Sequence, residues 1–125
     1  MSNIVHVTPF LLVSDLDAAL DFFTRVLGFA VPFRMENYAY LHLETAGLRM
    51  LAECDITPVP REHARTTVYI DVRDVDALYA ELQPRLATLP ADDVQAPTNQ
   101  DYGMRELSVR MPDGHWLTFG QPVLS

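Results

Sequence analysis

Two periods of hydrophobicity alternate along the chain, and the alternation happens twice. Residues 4–13 are rich in β-branched and apolar side chains and predict a strand. From Leu16 the apolar spacing changes to three and four, which puts Leu16, Leu20, Phe23 and Leu27 on one helical face. Strand-like stretches return at 29–35, 38–44 and 48–54, with breaks at Glu36-Asn37 and Ala46-Gly47. The second half repeats the order: a strand at 66–72, then a helical face of Val75, Leu78, Leu82 and Leu86. Strands follow around Val94, at 105–111 and at 115–120. Pro112-Asp113-Gly114 between the last two predicts a tight turn, because Asp-Gly tolerates positive φ. Ser14 with Asp17 has the spacing of a capping box, Gly28 is a natural helix stop, and Pro84 is expected to kink or end the second helix early.

The repeat is also visible letter by letter. Val13-Ser14-Asp15-Leu16-Asp17-Ala18 recurs as Val72-Arg73-Asp74-Val75-Asp76-Ala77, 59 positions later. Each copy sits between a strand and a helix, so each half is a βαβββ module. The expected class is α+β, with modules at about 1–57 and 64–125 and a proline-containing linker at about 58–63. Modules of this size bury too little surface to be comfortable alone, so one shared domain is expected.

Composition narrows the function. A 49% hydrophobic and 21% charged chain is an ordinary folded protein, not a disordered one. No apolar run approaches the ~20 residues of a membrane span. The start lacks the pattern of a secretory leader, and Cys54 is the only cysteine; the expectation is a cytoplasmic chain without disulfide or zinc-thiolate cluster. A formal charge of −8 argues against a nucleic-acid partner and is compatible with a cationic ligand.

Several motifs together resemble the vicinal oxygen chelate superfamily, which includes glyoxalase I, bleomycin-resistance and fosfomycin-resistance proteins and extradiol dioxygenases. They are Val13-Ser14-Asp15-Leu16 with Ala19, Phe22-Phe23 and Leu27-Gly28-Phe29; Tyr102-Gly103-Met104-Arg105-Glu106; and Met111-Pro112-Asp113-Gly114-His115. Phe23 stands where the family usually has Tyr, and Met111 where Asp is usual. The resemblance covers nearly the whole chain. It implies paired βαβββ modules whose sheets curve around a cleft, often in a homodimer, and leaves the chemistry open.

Metal-dependent members hold a divalent ion with one side chain from each of four strands. The resemblance places these positions at Thr8 and Thr67, each seven residues before a helix-opening Asp, at Thr118, five after Asp113, and approximately at Glu53. Three threonines and one carboxylate make a poor donor set for a divalent ion, so neither metal nor other cofactor is expected. A shifted register would bring in His6. His42 and Glu44 share a strand face, but no further ligand converges on them by spacing, and a solvated face is the simpler reading. His63 falls in the linker, and His115 has the opposite parity to Thr118.

By strand parity, Phe10, Leu12, Arg49, Leu51, Asp71 and Trp116 join these positions on the ligand-facing side. Val7, Leu11, Val13, Val68, Ile70, Leu117 and Phe119 belong under the helices. The expected ligand-binding set is Thr8, Phe10, Leu51, Glu53, Thr67, Tyr69, Tyr102, Arg105, Trp116 and Thr118. Arg105 with Glu106 has a second reading, as a local surface pair. Cys54 is expected to be a small buried thiol. The threonines and the acidic balance favour a non-catalytic protein that sequesters a cationic or aromatic antibiotic, or a similar metabolite, in a dimer cleft. The alternative is a glyoxalase, lyase or isomerase type of enzyme with an unusual metal site.

Overall fold

The computed structural model describes residues 2–123. The chain forms two compact units that meet in sequence at Thr57 and Pro58. The first contains β1 (Phe10–Val13), α1 (Leu16–Asp21), β2 (Ala30–Arg34), β3 (Tyr38–Leu43) and β4 (Ala46–Ala52). The second contains β5 (Thr67–Asp71), α2 (Val75–Leu86), β6 (Val94–Asn99), β7 (Met104–Arg110) and β8 (Trp116–Pro122). Each unit is a four-stranded mixed sheet, ordered β1-β4-β3-β2 and β5-β8-β7-β6. The strand before each helix pairs parallel with the last strand of its unit, and the other neighbours are antiparallel. The α+β class and the strand–helix–three-strand order of both modules are as expected.

The helices start where the repeat begins, but the cap is not Ser14. Asp15 accepts a hydrogen bond from the Ala18 N–H at 3.1 Å, and Asp74 accepts one from Ala77 at 3.0 Å. An aspartate three residues before the bonded N–H does the same work as the serine of a capping box. After Asp21 the first helix widens into a π-helical turn, Phe22–Val26, which lets the adjacent Phe22 and Phe23 both be buried. Gly28 then stops it with φ 81°. Pro84 does not end α2, which runs on to Leu86. The proline forfeits only its own bond to the Ala80 carbonyl, and buried Leu82 and Leu86 anchor the helix on either side.

Three other boundaries differ from expectation. Strand β1 begins at Phe10, not at residue 4, because Pro9 has no N–H to give to a ladder. Ile4, Val5 and Val7 therefore lie outside it and are exposed, so Val7 does not pack under a helix. The break expected near Ala46-Gly47 is the turn Glu44-Thr45, with Glu44 at φ 52°. Gly47 serves instead inside β4, where a Cβ would meet the Tyr40 hydroxyl at 2.9 Å and the Thr8 methyl at 3.1 Å. Cys54 is exposed, not buried, because β4 ends at Ala52. The turn at Pro112-Asp113-Gly114 holds, with Asp113 at φ 68° and Gly114 at φ 82°.

Parity separates the two faces of each sheet. In the first unit Leu11, Val13, Leu41, Leu48 and Met50 are buried together with Phe23, whose ring meets Phe29 edge-on at 5.2 Å. In the second, Val68, Leu107, Val109, Leu117 and Phe119 are buried, with Val75, Leu82 and Leu86 of α2. Residues of the other parity are available for chemistry. No described helix is long and apolar enough to cross a membrane.

Candidate functional site

Residues paired in register across strands point to the same side of a sheet, so the pairing defines the faces row by row. On the second unit, one cross-strand row is Thr67, Trp116 and Arg110. The next is Tyr69, Thr118, Ser108 and Gln95, and the third is Asp71, Gly120, Glu106 and Thr98. The row neighbours of opposite parity are the buried aliphatics of the core. Polar and aromatic groups thus gather on one face because the strands alternate strictly.

The third row holds Glu106, a carboxylate only 8% exposed. Tyr102 donates a hydrogen bond to its Oε1 at 2.6 Å, and the Tyr69 phenol lies near enough for the carboxylate to raise its pKa. Tyr69 reaches it by leaning across Gly120: a Cβ there would lie 1.8 Å from the Tyr69 hydroxyl. The absent side chain of Gly120 is what makes room for the phenol. No Arg lies within ion-pair distance of Glu106 among the described residues. The Thr118 and Ser108 hydroxyls bond each other at 2.9 Å.

These contacts move the phenols. Partial desolvation, followed by the hydrogen bond and charge of Glu106, pushes Tyr69 from 10.0 up to about 12. Tyr102 is raised chiefly by its hydrogen bond to Glu106. A folded pKa above the unfolded one means that the contact contributes fully below pH 10 and is lost as pH climbs toward 12. Absorbance of tyrosinate during alkaline titration should therefore show late-ionising phenols. In Glu106→Gln that late phase should move down, since the charge is removed, though desolvation keeps part of the shift. An unchanged titration in the variant would dissociate the phenols from Glu106.

The first unit presents a different surface. Its central row runs Phe10, Arg49, Tyr40 and Phe33, followed by Leu12, Leu51 and Tyr38. Phe10 and Phe33 are each 51% exposed. The Arg49 Nε donates to Thr8 Oγ1 at 2.9 Å, and its Nη1 donates to the Tyr38 hydroxyl.

The expected set divides accordingly. Thr67, Tyr69, Trp116 and Thr118 share the face of the second unit, and Tyr102 reaches it through Glu106. Phe10 and Leu51 share that of the first, with Thr8 beside Arg49 though outside the strand. Two residues are elsewhere. Glu53 is exposed beyond the end of β4, with its N–H bonded to the Val13 carbonyl at 2.8 Å. Arg105 has the parity of Leu107 and turns to the helix side, where it pairs with Asp76 of α2 at 2.9 Å and holds that carboxyl below its usual range. Glu106 was missed as a site residue; the alternation Glu106, Ser108, Arg110 against Leu107, Val109 was its signal.

The register also corrects the fourth metal position. Phe10 and Tyr69 are 59 apart, and Phe10 pairs with Arg49 as Tyr69 pairs with Thr118. Arg49, not Glu53, is the counterpart of Thr118. Three threonines and an arginine do not fit a divalent cation, and Thr8 is already an acceptor for that guanidinium. His42 stacks on Tyr40 with ring centroids 6.3 Å apart. Among the described residues no three His, Cys, Asp or Glu side chains gather as metal ligands. A cavity of about 260 Å³ lies on the helix side of the second unit, lined by Tyr79, Gln83, Leu86, Leu89, Val94 and Ala96 among others. Its lining carries no charge and none of the groups above.

Residues 3–119 match the family described as the Glyoxalase/Bleomycin resistance protein/Dioxygenase superfamily. Among solved structures, TnmS3, an antibiotic binding protein from Streptomyces sp. CB03234, is 26% identical over 98% of this chain and 99% of its own, with a TM-score of 0.71. The bleomycin-binding protein from bleomycin-producing Streptomyces verticillus, complexed with copper(II)-bleomycin, is 22% identical over 100% of both chains, with a TM-score of 0.76. Lactoylglutathione lyase from Agrobacterium tumefaciens is 16% identical over 95% of each, with a TM-score of 0.69. No curated protein matches this chain.

Proposed function

The chain belongs to the glyoxalase/bleomycin resistance protein/dioxygenase superfamily, and from that premise we propose that it is a non-catalytic small-molecule-binding protein. It sequesters a cationic or aromatic antibiotic, or a metabolite of that chemistry. The observation that carries this reading is Glu106: a buried carboxylate that accepts from the Tyr102 hydroxyl and has the Tyr69 phenol near it, with no cation of its own among the described residues. Such a group attracts an ammonium or guanidinium, Tyr69 and Tyr102 supply aromatic surface near it, and Trp116 supplies more two rows along the same face. Arg110, at the other end of the same strand face, orients a ligand by repelling its cationic end. The likeness to the antibiotic binding protein TnmS3 supports the same reading. Glyoxalase-type chemistry asks for a Lewis acid, and threonine and arginine at the metal positions do not hold one.

Trp116 is the chain's single tryptophan, and it is half-buried beside Thr67. Bleomycin, a cationic aromatic probe, should change its emission saturably. Trp116→Ala should weaken binding about tenfold, the worth of one stacked aromatic contact, and leave the fold intact. Emission indifferent to bleomycin, with several kcal/mol of stability lost in the variant, would make Trp116 a packing residue. The same reading takes the two modules as one domain and the working state as a cytoplasmic two-fold homodimer. Sedimentation at micromolar concentration should show the dimer; a monomer that binds normally would exclude it.

A further inference from the structure

The first unit carries a site of the opposite sign. We propose that the row Phe10–Arg49–Tyr40–Phe33, with Thr8 and Tyr38, is a receptor for an aromatic carboxylate. Arg49 is half-buried at the middle of β4, and three aromatic side chains occupy its row. Its Cζ lies 5.2 Å from the centroid of the Tyr40 ring, which Gly47 lets settle against the sheet. Nε and Nη1 are each committed to a hydroxyl, which fixes the plane of the guanidinium without neutralising it. No carboxylate lies within ion-pair distance of Arg49 among the described residues, whereas Arg25, Arg34, Arg61 and Arg105 each have one. No acidic side chain stands in this row or in the flanking rows Leu12–Leu51–Tyr38 and Gly47–His42.

The donors that remain suit a planar oxyanion. Nη2 keeps both of its hydrogens. Thr8 and Tyr38, having accepted from the guanidinium, each retain a hydroxyl hydrogen to donate. An arginine fork oriented in advance loses little entropy on binding and grips a carboxylate through charge-assisted bonds. Phe10 and Phe33, half-exposed on either side, offer their faces to the ring that bears the carboxylate. Phe10 and Tyr38 already sit in aromatic contact, with centroids 6.0 Å apart. The site stands on the first unit alone and does not depend on Glu106.

The test uses the full chain, labelled with nitrogen-15, titrated with 2-naphthoate and separately with neutral 2-naphthylmethanol. Naphthoate should shift the Arg49 Nε–H resonance saturably and the alcohol should not. Arg49→Met should weaken naphthoate about tenfold or more, the worth of a hydrogen bond to a charged group. Arg49→Lys, which keeps the charge and loses the fork, should recover part of that loss. Phe10→Ala, at an exposed position, should weaken naphthoate with an unchanged melting temperature. Equal binding of acid and alcohol, a still Nε–H at millimolar naphthoate, or full affinity in Arg49→Lys and Phe10→Ala would overturn the proposal. None of those results bears on bleomycin binding at Glu106, so the two readings fail separately.

Discussion

Gly120→Ala is expected to disable ligand binding while leaving the protein folded. The added methyl would fall 1.8 Å from the Tyr69 hydroxyl and 2.5 Å from its Cζ, both far inside contact distance. The backbone at Gly120 is not in the left-handed region, so alanine brings no strain of its own. The obstruction is the far end of a side chain, and it yields by rotating away. Tyr69 then moves away from Glu106, and the face loses an aromatic wall. Affinity for bleomycin should fall about tenfold, the worth of one aromatic contact to a cationic ring. The late tyrosinate phase should shrink in the same variant, because Tyr69 returns toward its usual range. A melting temperature within a few degrees of the parent would separate this loss from unfolding. Unchanged affinity with a displaced Tyr69 would remove the phenol from the site.

Leu117→Ala should have the largest effect on stability. Leu117 is fully buried in β8, in register with Val68 on one side and Val109 on the other. Deleting three carbons there loses transfer free energy and leaves a cavity that stiff β-branched neighbours cannot fill. The cost should be about 2–5 kcal/mol, a large share of a domain's usual stability. Thr67→Ala, one row-end away on the exposed face, should cost well under 1 kcal/mol by comparison, as exposed substitutions do. Urea denaturation of the two variants measures the contrast directly. Similar losses in both would mean that parity does not separate core from ligand face.

Much of this was legible because it follows from period and repetition. The change from alternation to a three-and-four spacing placed both helices, and the doubled Asp motif located their starts. Alternation in β5 and β8 sorted Val68, Leu117 and Phe119 from Thr67, Tyr69 and Trp116, since a one-residue change of register would turn every side chain over. What escaped depended on partners distant in sequence. Arg105 shares the parity of Leu107, which puts it on the helix side, and its partner Asp76 lies 29 residues away in α2. Glu53 was misplaced because only the pairing of Phe10 with Arg49 shows which β4 residue answers Thr118. Gly47 marks the neighbourhood of a turn in the sequence, but that Tyr40 needs its space is visible only once β3 and β4 are paired. Pro84 lacks the N–H that the Ala80 carbonyl would take, yet buried Leu82 and Leu86 carry α2 through it, which the proline alone does not reveal.

This chain is expected to bind a cationic aromatic molecule and to return it unchanged. The direct measurement is a calorimetric titration of the purified protein with bleomycin, followed by mass analysis of the recovered compound. The account predicts saturation at one site per chain, weakening in Glu106→Gln and at higher salt, and a recovered mass identical to that added. No saturable heat up to millimolar bleomycin, or a recovered compound that the protein has altered, would contradict it.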